Sequence, residues 1–422
     1  MRFVGKAAML TAAAALASMT APCGAQQAAP PRSPEELRCT GQQAAAPSVQ
    51  IVACTTLIGS GRYTKQNLSI LYSNRGIAYG KAGDTDKAIA DFDAALRINP
   101  THLRAFLNRA HAYLAKRDYP HAIADFDEAV RLDPRGTSVL ISRAGAFEAA
   151  GNTARAIADY DQALKLDPNL AAAYFNRGMD YRRQGELDRA IADYDQAIRL
   201  NPKDAAALNN RGIAFAEKGL GDRAAADYDL ALKVDPNFAL AYVNRALVWQ
   251  TKKEFNRAIA DFEAAMRLAP DNGEAYNGRG TSFDAKNEPD RALADFDKAV
   301  SLDPRNPAFL DNRGNALRNS GRFDLAVADY DKAIAISPRF ALAYFNRAQA
   351  HYLAGRFKEA FADVDKAAEL NAKSASALSL RGLIQEKLGA RDAAIADLTR
   401  AAALDPNFEQ PVEALRRLGV SR

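Results

Sequence analysis

Residues 171–204 read AAAYFNRGMDYRRQGELDRAIADYDQAIRLNPKD, and this 34-residue pattern recurs ten times without insertion or deletion over residues 69–408. A fixed period of this length marks a repeat architecture, each copy being one supersecondary unit. Tyr174, Gly178 and Tyr181 fall at i, i+4 and i+7, and Ala190, Tyr194 and Ala197 repeat that spacing after a gap. Each set lines one face of a helix. Between them Gly185 can take the left-handed backbone that closes a helix, and Pro202 cannot continue the second one, so the repeat reads helix, turn, helix, stop. Gly holds the turn at 83, 151, 185, 219, 321, 355 and 389. Arg117, Lys253 and Asn287 depart from it, and of these only Asn readily tolerates that conformation.

Two helices this short cannot bury both sides of their own apolar stripes, so each repeat must stack on the next. Positions that touch should therefore be small. Ala recurs on the second helix at 88, 122, 156, 190, 224, 258, 292, 326, 360 and 394, and again seven residues later from 95 to 401. The first-helix contact is always Gly or Ala, from Gly76 to Gly382.

The order Tyr174, Gly178, Tyr181, Ala190, Tyr194, Ala197, Pro202 resembles the aromatic, small, aromatic, Ala, aromatic, Ala, Pro signature of the tetratricopeptide repeat family, over about 340 of 422 residues. The resemblance implies an all-α, right-handed superhelical solenoid whose first helices line a concave binding groove. Repeat nine departs most, with His351, Val364 and Ala372 where two aromatics and the Pro are expected.

At the start, Arg2 and Lys6 precede an apolar run over residues 7–21, too short to span a membrane, and then Cys23-Gly24-Ala25. That is the anatomy of a Sec-type signal peptide and implies a bacterial periplasmic or secreted protein, with no integral membrane span once the leader is removed. Cleavage after Ala25 is favoured over lipid attachment at Cys23, because Pro22 fits a lipobox poorly. The expected organisation is a leader over residues 1–25, a linker and helical N-cap over 26–68, ten repeats over 69–408 and a C-terminal capping helix over 409–422. Ser33-Pro34-Glu35-Glu36 reads as an N-cap, a first-turn Pro and a capping-box Glu, and a second cap helix is expected over residues 48–60. Beyond the leader Cys39 and Cys54 are the only cysteines, and no His or further Cys lies near enough in sequence to complete a zinc shell. In an exported chain this favours a structural disulfide over a metal site.

The chain carries 56 basic and 51 acidic residues, a net charge of +5. There are no long runs of one sign and no basic stripe, so the charges read as solvated helix faces and not as a nucleic-acid surface. Arg recurs before the Gly/Ala contact in all ten repeats and Asp on the second helix in all ten, as in Arg177 with Asp193 and Arg211 with Asp227. A role repeated ten times is structural, and a guanidinium–carboxylate pair in each repeat is expected. The second Asp, such as Asp161 or Asp195, is expected to be exposed.

Asn precedes that Arg at Asn74, Asn108, Asn176, Asn210, Asn244, Asn312 and Asn346. The placement is similar to the asparagine ladder of the O-linked N-acetylglucosamine transferase repeats, which holds an extended peptide backbone. An amide offers two donors and an acceptor without demanding a particular side chain from its guest. The same residues could instead bridge neighbouring first helices, and the sequence leaves both roles open. Phe175 and Phe345 beside this row, and Ile77, Met179, Ile213, Leu247 and Leu383 three positions beyond it, would add apolar patches suited to a polypeptide. No Lys stands immediately before the Asn position, which argues against the chaperone-tail clamp found elsewhere in the family.

His102, His111, His121 and His351 fall on differently facing positions and do not suggest a metal site, and no nucleophile motif, phosphate loop or convergent acid pair is present. The reading is a non-enzymatic scaffold without cofactor that binds other proteins or peptides, its own oligomeric state open. An envelope component of exopolysaccharide secretion or pilus assembly is the alternative.

Overall fold

The computed structural model describes residues 33–420. The expected leader, residues 1–25, and linker, residues 26–32, lie outside the described residues. All regular elements among the described residues are α-helices, and the longest cannot cross a membrane by length and apolarity. They fall into two compact units that divide between Lys218 and Gly219. The N-terminal unit holds α1 (Pro34–Cys39), α2 (Pro47–Gly59), α3 (Lys65–Lys81), α4 (Thr85–Ile98), α5 (Leu103–Ala115) and α6 (Tyr119–Leu132). It continues with α7 (Thr137–Ala149), α8 (Thr153–Leu166), α9 (Ala171–Arg183), α10 (Leu187–Leu200) and α11 (Ala205–Glu217).

The C-terminal unit begins with α12 (Gly221–Val234), α13 (Ala239–Thr251), α14 (Phe255–Leu268), α15 (Gly273–Ala285), α16 (Pro289–Leu302) and α17 (Pro307–Asn319). It ends with α18 (Phe323–Ile336), α19 (Ala341–Leu353), α20 (Phe357–Leu370), α21 (Ala375–Lys387), α22 (Arg391–Leu404) and α23 (Glu409–Arg417). Within each unit every helix packs on its chain neighbours, and first helices also meet first helices, as α9 meets α11 and α17 meets α19.

The local causes are those of the sequence. Asp84, Asp118 and Asn152 cap second helices by accepting the amide three residues on. The turn residue has φ of +79° at Gly185 and about +60° at Arg117, Lys253 and Asn287. Arg117 and Lys253 are therefore held in a conformation costing roughly 1–2 kcal/mol each, which the flanking packed helices enforce. The alanines at 88, 122, 156, 190, 224, 258, 292, 326, 360 and 394 are at most 1% exposed. At Gly178 a Cβ would lie 2.9 Å from Tyr194 Cε1 and 3.3 Å from the Ala190 carbonyl, so even a methyl there requires the Tyr194 ring to shift and nothing larger fits. The ring it would strike, Tyr194, is fully buried, as are Tyr160, Phe126 and Phe262 at the equivalent position.

At the N-terminus the capping box forms. Glu36 N donates to Ser33 Oγ at 3.2 Å, and Ser33 N donates to Glu36 Oε2 at 2.8 Å. Cys39 and Cys54 are joined as a disulfide between α1 and α2, both fully buried in one cluster with Ala53, Leu57 and Leu71, the last from α3. The bridge thus fastens α1 and α2 over the end of the first repeat, and by the chain-entropy account a loop of this size stabilises by about 3 kcal/mol. At the other end, Ala414 and Leu415 of α23 cover Leu398, and Arg417 turns outward to Glu386 at 2.9 Å.

Candidate functional site

Each unit carries a ladder of arginines. In the N-terminal unit Arg75, Arg109, Arg143 and Arg177 each grip, through Nε and Nη2, both oxygens of the Asp sixteen residues on in the same repeat. Arg245, Arg279, Arg313, Arg347 and Arg381 do the same in the C-terminal unit. Arg211, in the N-terminal unit, bonds Asp195 at 2.7 Å, and Asp227, in the C-terminal unit, is buried.

The remaining nitrogen, Nη1, reaches back sixteen residues to the second Asp of the preceding repeat, as Arg177 does to Asp161 at 2.5 Å and Arg143 to Asp127 at 2.8 Å. Asp161 is exposed as the sequence suggested, with 52% of its side chain accessible, but it is the tie between repeats. Arg177 also lies over the Tyr174 and Tyr181 rings at 5.6 and 5.7 Å, which screens its guanidinium from water. Burial pushes the Asp193 carboxyl above its ordinary range despite the downward pull of Arg177. The desolvation cost of the pair is therefore large, and a lone partner would be left stranded.

The asparagine row lies on the first helices, and only part of it faces outward. Asn346 is 5% exposed, and its amide donates to both oxygens of Asp311 at 2.9 and 3.1 Å. Asn312 donates to Asn277 Oδ1 at 2.9 Å. Both partners stand 35 residues back, because stacking sets each Asn beside the residue preceding the equivalent Asn position of the previous repeat. Asn244 is fully buried. The seven amides are therefore not equivalent: Asn244 and Asn346 are buried, and Asn312 and Asn346 bridge neighbouring first helices, one of the two roles the sequence leaves open. Asn176 meets the Tyr160 hydroxyl, and Asn210 donates to the Ala206 carbonyl of its own helix at 2.9 Å. Asn74, Asn108, Asn176, Asn210 and Asn312 keep partial exposure. Phe175 and Met179 are half-buried against a core cluster containing Tyr181 and Tyr194, and Phe345 packs likewise on the cluster of Ala348 and Val364.

The histidines go to separate tasks. His102 Nδ1 is 2.8 Å from Ser69 Oγ, His111 stands edge-on to Phe126, His121 meets Asp118 at 2.8 Å, and His351 is 3.8 Å from Asp363. Among the described residues no group of three or more His, Cys, Asp or Glu is placed to hold a metal ion.

The two tiers of the ladder differ in burial and should differ in energy. Asp193→Ala removes a carboxylate that is 8% exposed and should cost about 3 kcal/mol, whereas Asp161→Ala at the wet end should cost under about 1 kcal/mol. Denaturant titration of both single variants and the double variant checks this, with non-additivity expected because they share Arg177. Equal costs for the two would show that burial does not rank them.

Models of the tetratricopeptide repeat match residues 73–137, 107–171, 159–192, 250–307, 341–374 and 375–408, and a further model described as TPR repeat matches 178–219 and 314–355. No curated protein matches the sequence. Among solved structures the chain is similar to the APC/C hetero-tetramer Cut9–Hcn1, with 13% identity over 92% of this chain and 96% of that one and a TM-score of 0.53, a likeness of fold alone. It also matches a tetratricopeptide repeat protein from Parabacteroides merdae, at 22% identity over 59% of this chain and 99% of that one, TM-score 0.48. A third match is YrrB, described as a TPR protein with an unusual peptide-binding site, at 27% identity over 44% and 95%, TM-score 0.36. With repeat models matching along most of its length and paired helices throughout the described residues, the chain belongs to the tetratricopeptide repeat family.

Proposed function

We propose that the protein is a non-enzymatic scaffold that holds segments of other polypeptides across its first helices. Tetratricopeptide repeats are a protein–protein interaction fold, and the finer reading rests on one observation. Asn108, Asn176 and Asn210 sit at one register position of α5, α9 and α11 and remain partly exposed. Amides so placed can bond a guest's backbone whatever its side chains, and the half-buried Phe175 and Met179 beside them add apolar contact. Phe175 and Phe345 lie against core clusters and are not splayed for sugar stacking.

Export is the companion proposal. A disulfide at Cys39–Cys54 suits an oxidising compartment, and the leader motif over residues 1–25 supplies the route. Sequencing the exported protein should find a start near Gln26 and no titratable thiol before reduction, whereas a diacylglyceryl group on Cys23 would replace this reading with a lipid-anchored one.

The groove reading is tested by changing Asn108, Asn176 and Asn210 together to Ala and measuring the affinity of peptides selected on the full chain from a random displayed library. Helical content, read by circular dichroism, should hold, since Ala is the better helix former. Affinity should fall by about 1 kcal/mol for each lost hydrogen bond. Unchanged affinity alongside lower thermal stability would mean that the amides only join first helices.

A further inference from the structure

Where the other repeats carry Ala78, Ala112, Ala146, Ala214, Val248, Ser282, Ala316, Ala350 or Ile384 on the first helix, the fourth repeat carries Asp180. It is fully buried. Its Oδ1 accepts from Arg183 Nη1 at 2.6 Å, but among the described residues no N–H or O–H reaches Oδ2. The carboxyl lies within hydrogen-bonding reach of Glu148 on α7, whose own Oε1 already accepts from the Tyr160 hydroxyl of α8 at 2.8 Å. Two carboxylates in such contact cannot both be ionised without repelling, whereas one proton between them makes a short, charge-assisted O–H···O bond.

We propose that Asp180 and Glu148 share one proton across the seam between α7 and α9, making the stacking of the third and fourth repeats sensitive to pH. The charged surroundings do not cancel the pair. Arg183 is the cation bonded to Asp180 and is 42% exposed, so water weakens its pull. Arg182, next on α9, is held by Glu217 of α11 at 2.8 Å and lies beside the Tyr194 hydroxyl of α10. Asn176 of α9 adds a neutral amide at Tyr160. Burial first, and Glu148 second, push the Asp180 carboxyl up to about 7. The folded protein therefore keeps a proton that the unfolded chain releases near pH 4, so stability falls as pH rises from about 4 to 7 and stays lower above that.

The measurement is thermal unfolding of the full chain between about pH 5 and 8.5, with Asp180→Asn and Glu148→Gln alongside. The wild type should lose about 5 °C in melting temperature toward the alkaline end. Either amide supplies a permanent donor in place of the proton, so both variants should flatten that slope and melt above the wild type at the alkaline end. Hydrogen exchange of the wild type, corrected for intrinsic rates, should show α7 and α9 opening more readily at alkaline pH while α3 and α4 do not. That readout decides the matter if the variants fold poorly. Variants with the wild-type slope, or exchange in α7 and α9 that follows α3 and α4 at every pH, would overturn the shared proton.

Discussion

A guanidinium held between two carboxylates of successive repeats is the constraint on which the structure depends. Alanine and glycine at the contacts let helices approach, but small side chains alone do not fix how one repeat sits on the next. Arg177 supplies that register: Nε and Nη2 are taken by Asp193 within the repeat, and Nη1 by Asp161 of the repeat before. A planar fork with five donors can serve both at once, and a Lys could not. Substitution to Lys would therefore keep the charge and lose the geometry.

The ladder is also finished at its ends. Arg75 has no earlier repeat behind it, and its Nη1 donates instead to Thr55 of the disulfide-linked cap at 3.1 Å. The last repeat carries Thr399 where the others carry the second acid, since no ladder Arg follows to need one. In repeat six that acid is Glu263, whose longer chain still reaches Arg279, at 3.3 Å. These three departures from the ladder thus have a physical reason in the neighbour each meets or lacks.

How much of this was legible depended on whether one repeat or two were needed to see it. The contact alanines, the left-handed turn at Gly185, the Ser33 capping box and the Cys39–Cys54 bridge are local patterns, and the structure has them where the sequence put them. The role of Asp161 was not legible, because its partner lies in the next repeat at a spacing that has meaning only once the stack is known. The asparagines show the same limit. Asn346 and Asn312 look outward on one helix, but stacking brings Asp311 and Asn277 alongside them. Asp180 escaped the sequence reading altogether, because nothing within one repeat places Glu148 beside it.

The central claim is that the arginine ladder couples neighbouring repeats within a stack, and amide hydrogen exchange resolved by helix tests it most directly. In the wild type, α5 to α10 should open with a shared free energy, as contiguous cooperative segments do. In Arg177→Leu, which removes the ties to Asp193 and Asp161 together, α9 and α10 should open separately from α5 to α8. If the variant keeps the wild-type pattern, or if the wild-type helices already open independently, apolar packing alone sets the coupling and the ladder does not.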